Sequence, residues 1–85
     1  MLAQYFWKGN NMRVKIRLDT MKDVYELVNI ATQIDERITI TDGAYATISA
    51  KSILGGILAK MEFENIYCEC EKDISGKLLN LMRIE

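Results

Sequence analysis

The clearest pattern in the chain is an alternation of charged and apolar residues at positions 13–18, Arg-Val-Lys-Ile-Arg-Leu. An alternation with a period of two is typical of a strand that buries one face. The buried face is expected to carry Val14, Ile16 and Leu18. The exposed face is expected to carry Arg13, Lys15 and Arg17. The sequence therefore predicts a first, half-buried strand over 13–18.

The pattern then changes to helical spacing. Apolar residues recur three and four positions apart on one predicted face, at Val24, Leu27, Val28, Ala31 and Ile34. Thr20 precedes this run and suits a helix N-cap, and Asp23 three residues later suits a variant of the capping box. We therefore predict that the first helix begins directly after Thr20.

The remaining patterns give five further elements and one turn. Strands are predicted over 37–41 and 44–49, joined by the turn signal Asp42-Gly43, and a last strand over 63–71. Helices are predicted over 51–60, capped by Ser49 or Ser52, and over 73–84. The order β-α-β-β-α-β-α predicts an α+β fold in which three helices cover one face of a four-stranded antiparallel sheet.

The charges on the exposed face suggest which strands are neighbours. The basic row of the first strand would complement Glu69 and Glu71 if the first and last strands lie side by side. Such exposed pairs contribute little stability, about 0.2–1 kcal/mol each, but they disfavour like-charged neighbours. We interpret the basic row as a solvated structural ladder and not as a ligand site.

Residues 1–12 are predicted to stand apart from a domain at 13–85. This segment contains the aromatic run Tyr5-Phe6-Trp7 and the turn-prone Gly9-Asn10-Asn11. One interpretation is a leader that precedes a natural start at Met12. The other is an aromatic arm that docks on this domain or on a neighbouring copy, so the chain is expected to be a monomer or a weak dimer.

Composition narrows the functional classes. The 85 residues are 49% hydrophobic and 27% charged, with a formal net charge of −1. The charge balance argues against nucleic-acid binding, which requires a basic face. No apolar run is long enough for a membrane span, and the N-terminus lacks the pattern of a signal peptide. We therefore expect a cytoplasmic protein.

Catalytic and metal chemistry have few candidates in this sequence. The chain contains no histidine, no glycine-rich phosphate loop and no nucleophile–base pair, so we expect no enzyme and no cofactor. Cys68 and Cys70 would lie about 7 Å apart on one strand face, too far for a disulfide. We interpret them as reduced core thiols, because a zinc site would need carboxylates as its other ligands.

The segment at 42–55, Asp-Gly-Ala-Tyr-Ala-Thr-Ile-Ser-Ala-Lys-Ser-Ile-Leu-Gly, resembles the hairpin and second-helix region of HPr, the phosphocarrier of the bacterial sugar phosphotransferase system. The likeness in element order covers about 13–84 and is most specific at 50–55. It implies an HPr-like open-faced β-sandwich, with the four strands in the order first, fourth, second, third.

The resemblance fails where HPr proteins carry their phosphorylated histidine. By alignment, Thr20 lies at the histidine position, Lys22 at the arginine position and Asp23 at the proline position. A phosphothreonine is a stable ester that cannot relay phosphate as a phosphohistidine does. Asp19 and Asp23 would also repel phosphate at this helix N-terminus. We expect no phosphocarrier activity, and we interpret Thr20 as a cap, with a Thr20 phosphoacceptor as the least favoured alternative.

The resemblance also implies a regulatory residue and a partner surface. Ser52 matches the serine that an ATP-dependent kinase phosphorylates in many Gram-positive HPr proteins, and Ile53, Leu54 and Ile57 match their apolar contact patch. The implied partner is a protein, such as a phosphotransferase-system or catabolite-control component. The alternative is that Ser52 only caps the helix while Ile53 or Leu54 fills the core. At the level of function, the alternative is a small-ligand-binding or structural α/β module without a phosphotransferase role.

Overall fold

The computed structural model, which describes residues 5–82, contains both strands and helices, as predicted. The elements in chain order are β1 (Tyr5–Lys8), β2 (Asn11–Ile16), α1 (Met21–Thr32), β3 (Ile38–Thr41), β4 (Thr47–Ser49), α2 (Ile53–Glu62), β5 (Ile66–Cys70), a 3₁₀ turn (Ser75–Leu78) and α3 (Leu79–Met82). The predicted α+β class is therefore confirmed.

The strands form one antiparallel sheet in the order β1-β2-β5-β3-β4. The four predicted strands correspond to β2, β3, β4 and β5, and their predicted order is confirmed. The predicted number of four strands is wrong, because Tyr5–Lys8 adds β1 beside β2. Gly9 makes this hairpin possible, since its φ of +62° lies in the left-handed region that a tight turn requires.

Several boundaries differ from the prediction for local reasons. β4 begins at Thr47 and not at 44, because the Asp42 carboxylate accepts hydrogen bonds from the backbone N–H groups of residues 44–46 and holds them in a loop. The predicted last helix is a 3₁₀ turn followed by the short α3. Gly76 lies in that turn, where it weakens helix formation. Predicted residues 83 and 84 lie outside the described range.

The hydrophobic core lies on one face of the sheet. The sheet residues on this face, all almost fully buried, are Met12, Val14, Ile16, Ile38, Ile40, Ile66, Cys68 and Cys70. The helices and the 3₁₀ turn contribute Val24, Leu27, Val28, Ala31, Ala59, Leu78 and Leu81 to the same cluster. The other face of the sheet carries mainly polar side chains. The predicted one-sided coverage by the helices is therefore present.

The charged ladder on the open face of the sheet is reduced to one ion pair. Arg13 lies opposite Glu69 in the β2–β5 register, and its Nε is 2.5 Å from Glu69 Oε2. Lys15 lies opposite Tyr67 and not opposite an acid, and Glu71 follows the last β2–β5 pair. The predicted adjacency of the first and last strands is correct. Of the three basic residues on which the prediction was based, Arg13 is the one that lies opposite an acidic residue in this register.

Candidate functional site

Two adjacent glycines determine how α2 is seated. A Cβ atom at Gly55 would lie 2.4 Å from Ile48 Cγ2 of β4, and one at Gly56 would lie 2.8 Å from Val24 Cγ1 of α1. Both distances are far below van der Waals contact, so a larger residue would require the neighbours to move. The absence of side chains here lets α2 approach β4 and α1 closely, and its opposite side faces outward.

The N-terminus of α2 is capped by Ser52. Its Oγ accepts a hydrogen bond from the Gly55 N–H at 3.1 Å, which satisfies one of the free donors of the first turn. Of the two predicted caps, Ser52 is therefore the correct one. The Ser49 Oγ instead accepts from the Lys51 N–H at 3.2 Å. The first turn of α2 contains no acidic residue.

Lys51 ties this N-terminus to the end of α1. Its Nζ donates a hydrogen bond to the backbone carbonyl of Ile34 at 2.7 Å. That carbonyl lies two residues beyond the last residue of α1, where backbone acceptors lose their helical partners. The Lys-Ser pair of the sequence motif thus has two structural tasks, since Lys51 anchors the loop and Ser52 begins the helix.

The outward side of α2 is apolar. Ile53 is 45% exposed, Leu54 78%, Leu58 49% and Met61 71%. Ile57 is partly buried and packs against the core. The alternative in which Ile53 or Leu54 fills the core is therefore wrong. We call the five side chains Ile53, Leu54, Ile57, Leu58 and Met61 the α2 patch.

Sequence reasoning missed two members of the α2 patch. Leu58 and Met61 lie four and seven residues after Leu54, the spacing that places side chains on one helix face. That signal was present in the sequence. It did not distinguish an exposed apolar face from a buried one, because both have the same helical spacing.

The N-terminus of α1 is built differently. The Thr20 Oγ1 accepts from the Asp23 N–H at 3.3 Å, while the Asp23 Oδ2 accepts from the N–H groups of Thr20 at 3.1 Å and Asp19 at 2.8 Å. The predicted N-cap and the predicted capping box are therefore confirmed. Asp23 is only 4% exposed, so its carboxylate is held against the helix end.

Negative charge already surrounds this end of α1. The Asp19 Oδ2 lies 3.3 Å from the Arg17 Nη2, and the Asp23 carboxylate occupies the adjacent backbone donors. Lys22, in the first turn of this helix, is exposed. The arrangement can stabilise the helix end, and its two carboxylates would repel a further anion there.

The two cysteines belong to the core. Cys68 and Cys70 are free and buried on the same face of β5, as the strand pattern predicts. Burial raises the pKa of the Cys68 thiol to about 12, so the thiol stays protonated and unreactive near neutral pH. Within residues 5–82 no group of three or more metal-ligating side chains is placed to hold a metal ion.

The open face of the sheet contains a shallow depression of about 350 Å³. Its lining residues are all polar or charged: Asn11, Arg37, Thr39, Thr47, Glu69 and Glu71. Pockets for small ligands are mostly apolar with a few placed polar groups. This depression lacks such a lining, and Glu69 is already paired with Arg13.

The loop between β3 and β4 carries an exposed aromatic side chain at its tip. The Asp42 Oδ1 accepts hydrogen bonds from the N–H groups of residues 44–46, at 2.8 to 3.1 Å. These bonds hold the pKa of the Asp42 carboxyl below its ordinary value, the bond from Ala44 having the largest effect. Tyr45 at the tip is 99% exposed. The predicted Asp-Gly turn is therefore a five-residue loop organised by one carboxylate.

Comparison with known proteins yields no relative. No family model matches the chain, and neither a curated protein nor a solved structure matches it. The likeness of residues 42–55 to HPr therefore rests on the sequence motif and on the order of the elements. As to membranes, none of the helices within residues 5–82 has the length and apolar character needed to cross one.

Proposed function

We propose that this chain is an HPr-like, cytoplasmic protein-binding module that does not carry phosphate on histidine, and that phosphorylation of Ser52 regulates its partner binding. One observation carries the proposal. The exposed α2 patch begins one residue after a cap serine whose helix turn contains no acidic residue.

The α2 patch has the character of a protein-binding surface. Single exposed apolar residues are common on protein surfaces, but a contiguous apolar helix face is not. The exposed fractions of Leu54 and Met61, 78% and 71%, leave most of each side chain in water. An amphipathic helix face of this kind suits a hydrophobic groove on a partner protein. Lys51 and Glu62 at its two ends supply a polar rim.

Phosphorylation of Ser52 fits the local electrostatics. A phosphoserine at an N-cap keeps an acceptor oxygen for the Gly55 N–H and places its charge at the positive end of the helix dipole. It would add a charge of about −2 beside Ile53 and Leu54 without disturbing the core. The modification would therefore change the choice of partner and leave the fold intact.

We expect no phosphate transfer at Thr20, the residue that aligns with the histidine of the HPr family. The chain has no histidine, and Thr20 uses its hydroxyl oxygen to accept a backbone hydrogen bond. The Asp23 carboxylate lies directly beside it. Incubation with phosphoenolpyruvate and the general kinase of the phosphotransferase system is expected to give no labelled protein. Labelling of wild type that is lost in Thr20→Val would contradict this part of the proposal.

The experiment that tests the regulatory part uses the HPr serine kinase and ATP, followed by mass spectrometry. We expect one phosphate on Ser52 in wild type and none in Ser52→Ala. Leu54→Glu is expected to lower the rate of modification by disrupting the α2 patch. Leu79→Glu is the matched control, because Leu79 is also exposed, at 64%, but lies on α3. Absence of phosphate on Ser52 in wild type would refute the regulatory role.

A further inference from the structure

β1 is a free edge of the sheet that carries aromatic side chains. Within the described residues it pairs with β2 alone. Tyr5 is 48% exposed, Phe6 43% and Trp7 55%. The opposite edge, β4, is shorter and presents only Thr47, Ile48 and Ser49. An unpaired strand edge is a template for another strand, and proteins usually shorten, charge or cover such edges.

The hairpin register determines which backbone groups of β1 face outward. Lys8 pairs with Asn11 across a two-residue turn, so these two residues exchange backbone hydrogen bonds. Bonded and non-bonded pairs then alternate along the hairpin. Phe6 therefore directs its N–H and C=O groups toward β2. Tyr5 and Trp7 direct theirs away from the sheet, toward the free edge.

We propose that β1 is an interface for a second copy of this chain. Two β1 strands would pair antiparallel about a two-fold axis at Phe6, joining two five-stranded sheets into one. In this register Tyr5 of each copy lies opposite Trp7 of the other, and these are the residues whose backbone groups face outward. The two Phe6 residues lie opposite each other at the axis.

The register follows from the alternation of backbone groups. A shift by one residue would set an outward-facing residue against one whose groups already face β2, so the ladder could not form. A shift of one strand by two residues relative to the other would move the two-fold axis by one residue, to Trp7. Phe6 would then pair with Lys8. Only the axis at Phe6 places every aromatic residue of β1 opposite another aromatic residue, and such cross-strand pairs stabilise sheets.

A second copy is the occupant that this edge fits best. A two-fold interface must be complementary to itself, and the aromatic run meets that condition at all three positions. Lys8, the only charged residue of β1, lies outside the three pairs, so no like charges are brought together at them. Pairing would also remove the free edge that each monomer presents.

The expected dimer is weak and leaves the α2 patch free. A four-residue edge buries less surface than a standard stable interface, so a dissociation constant between about 1 µM and 1 mM is expected. α2 packs near β3 and β4, which lie toward the opposite edge of the sheet from β1. The dimer therefore concerns a different surface from the one proposed to bind a protein partner.

Sedimentation of the full chain over this concentration range tests the proposal. Wild type is expected to dimerise and Phe6→Glu to remain monomeric, because two carboxylates would meet at the axis. In the monomer the new Glu would lie opposite Arg13, which favours the hairpin, and circular dichroism checks that the fold is kept. Tyr25→Glu is the matched control, since Tyr25 is 55% exposed on α1, and it should dimerise as wild type does.

A charge-swap mixture tests the axis itself. Phe6→Glu and Phe6→Lys are each expected to associate at least tenfold more weakly than wild type, and their equimolar mixture to recover association. The backbone amides of Tyr5 and Trp7 should become protected from hydrogen exchange as wild-type concentration rises. A wild type that stays monomeric up to about 1 mM, or a Phe6→Glu variant that dimerises equally well, would overturn the proposal.

Discussion

The N-termini of α1 and α2 are both capped by a hydroxyl side chain, yet they differ in charge. At α1 the Thr20 hydroxyl works together with the buried Asp23 carboxylate, which accepts two further backbone N–H groups. At α2 the Ser52 hydroxyl works alone, beside Gly55 and without an acid in the first turn. The first end already holds an anion and the second does not.

This difference in local charge is the physical basis of the proposal that phosphate is excluded at the first helix end and tolerated at the second. The positive end of a helix favours negative charge, and a further anion placed there must overcome repulsion from one that is already present. In α1 the carboxylate of the capping box has taken that place. In α2 the donors are held by a neutral hydroxyl, so a phosphate on Ser52 would meet no carboxylate in the turn.

The largest effect is expected from Gly55, which lets the N-terminal turn of α2 pack closely against β4. Gly55→Ala would bring a methyl group to within 2.4 Å of Ile48 Cγ2 and 3.0 Å of the Ser49 carbonyl oxygen. We expect a loss of about 2 to 3 kcal/mol in the free energy of unfolding, measured by urea denaturation. Gly76→Ala is the control, because the added methyl group would meet no atom within 4 Å beyond the adjacent chain. An equal loss in both variants would contradict the close seating of α2.

The next effect compares the two caps directly. Asp23→Ala would leave the N–H groups of Asp19 and Thr20 without their acceptor, and we expect a loss of about 2 kcal/mol. Ser52→Ala removes a single hydrogen bond and should cost about 1 kcal/mol. Thermal or urea unfolding measures both values. If Ser52→Ala proved the more costly change, the charged cap would not be the stronger one.

A smaller effect tests the openness of α2 to negative charge. Ser52→Asp is expected to change the free energy of unfolding by less than about 0.5 kcal/mol, since aspartate also caps helices and has no acidic neighbour in the turn. Thr20→Asp should lose about 1 kcal/mol, because it adds a charge beside Asp19 and Asp23. Added salt should reduce the loss at Thr20. Equal tolerance at the two sites would remove the proposed electrostatic difference.

The smallest effect concerns a carboxylate that organises backbone donors outside any helix. The folded-state pKa of Asp42 is lowered by hydrogen bonds from residues 44–46. Its contribution to stability is therefore present above the unfolded-state pKa and is lost as the pH falls through the folded-state pKa. Asp42→Asn should be less stable than wild type at pH 7, and the difference should shrink toward pH 2. Urea denaturation at several pH values measures this, and a difference independent of pH would exclude a role for the charge.

The sequence pattern predicted the structure best where each residue is either clearly buried or clearly exposed within one element. The alternation at 13–18 predicted the strand and its buried face, although β2 begins at Asn11 and ends at Ile16. Thr20 and Asp23 predicted the capping box, because this motif depends only on residues three positions apart. The charges of Arg13 and Glu69 predicted which strands are neighbours.

The pattern was least informative where long-range contacts decided the outcome. Tyr5–Lys8 has no alternation, so its place in the sheet follows from the turn at Gly9 and from pairing with β2. Ile53 and Leu54 have the same helical spacing as core residues, and only the seating of Gly55 and Gly56 turns them outward. The candidate site was therefore predicted as a set of residues but not as a surface.

The sequence alone determined three features of this protein. They are the α+β order of its elements, a first helix that is capped and has no histidine, and a serine at the start of the second helix. These features are local, and short-range hydrogen bonds and side-chain spacing determine them. Tertiary structure decided that β1 joins the sheet and that the apolar side of α2 faces water. Both outcomes depend on which surfaces remain uncovered once the core has packed, and no local pattern specifies that.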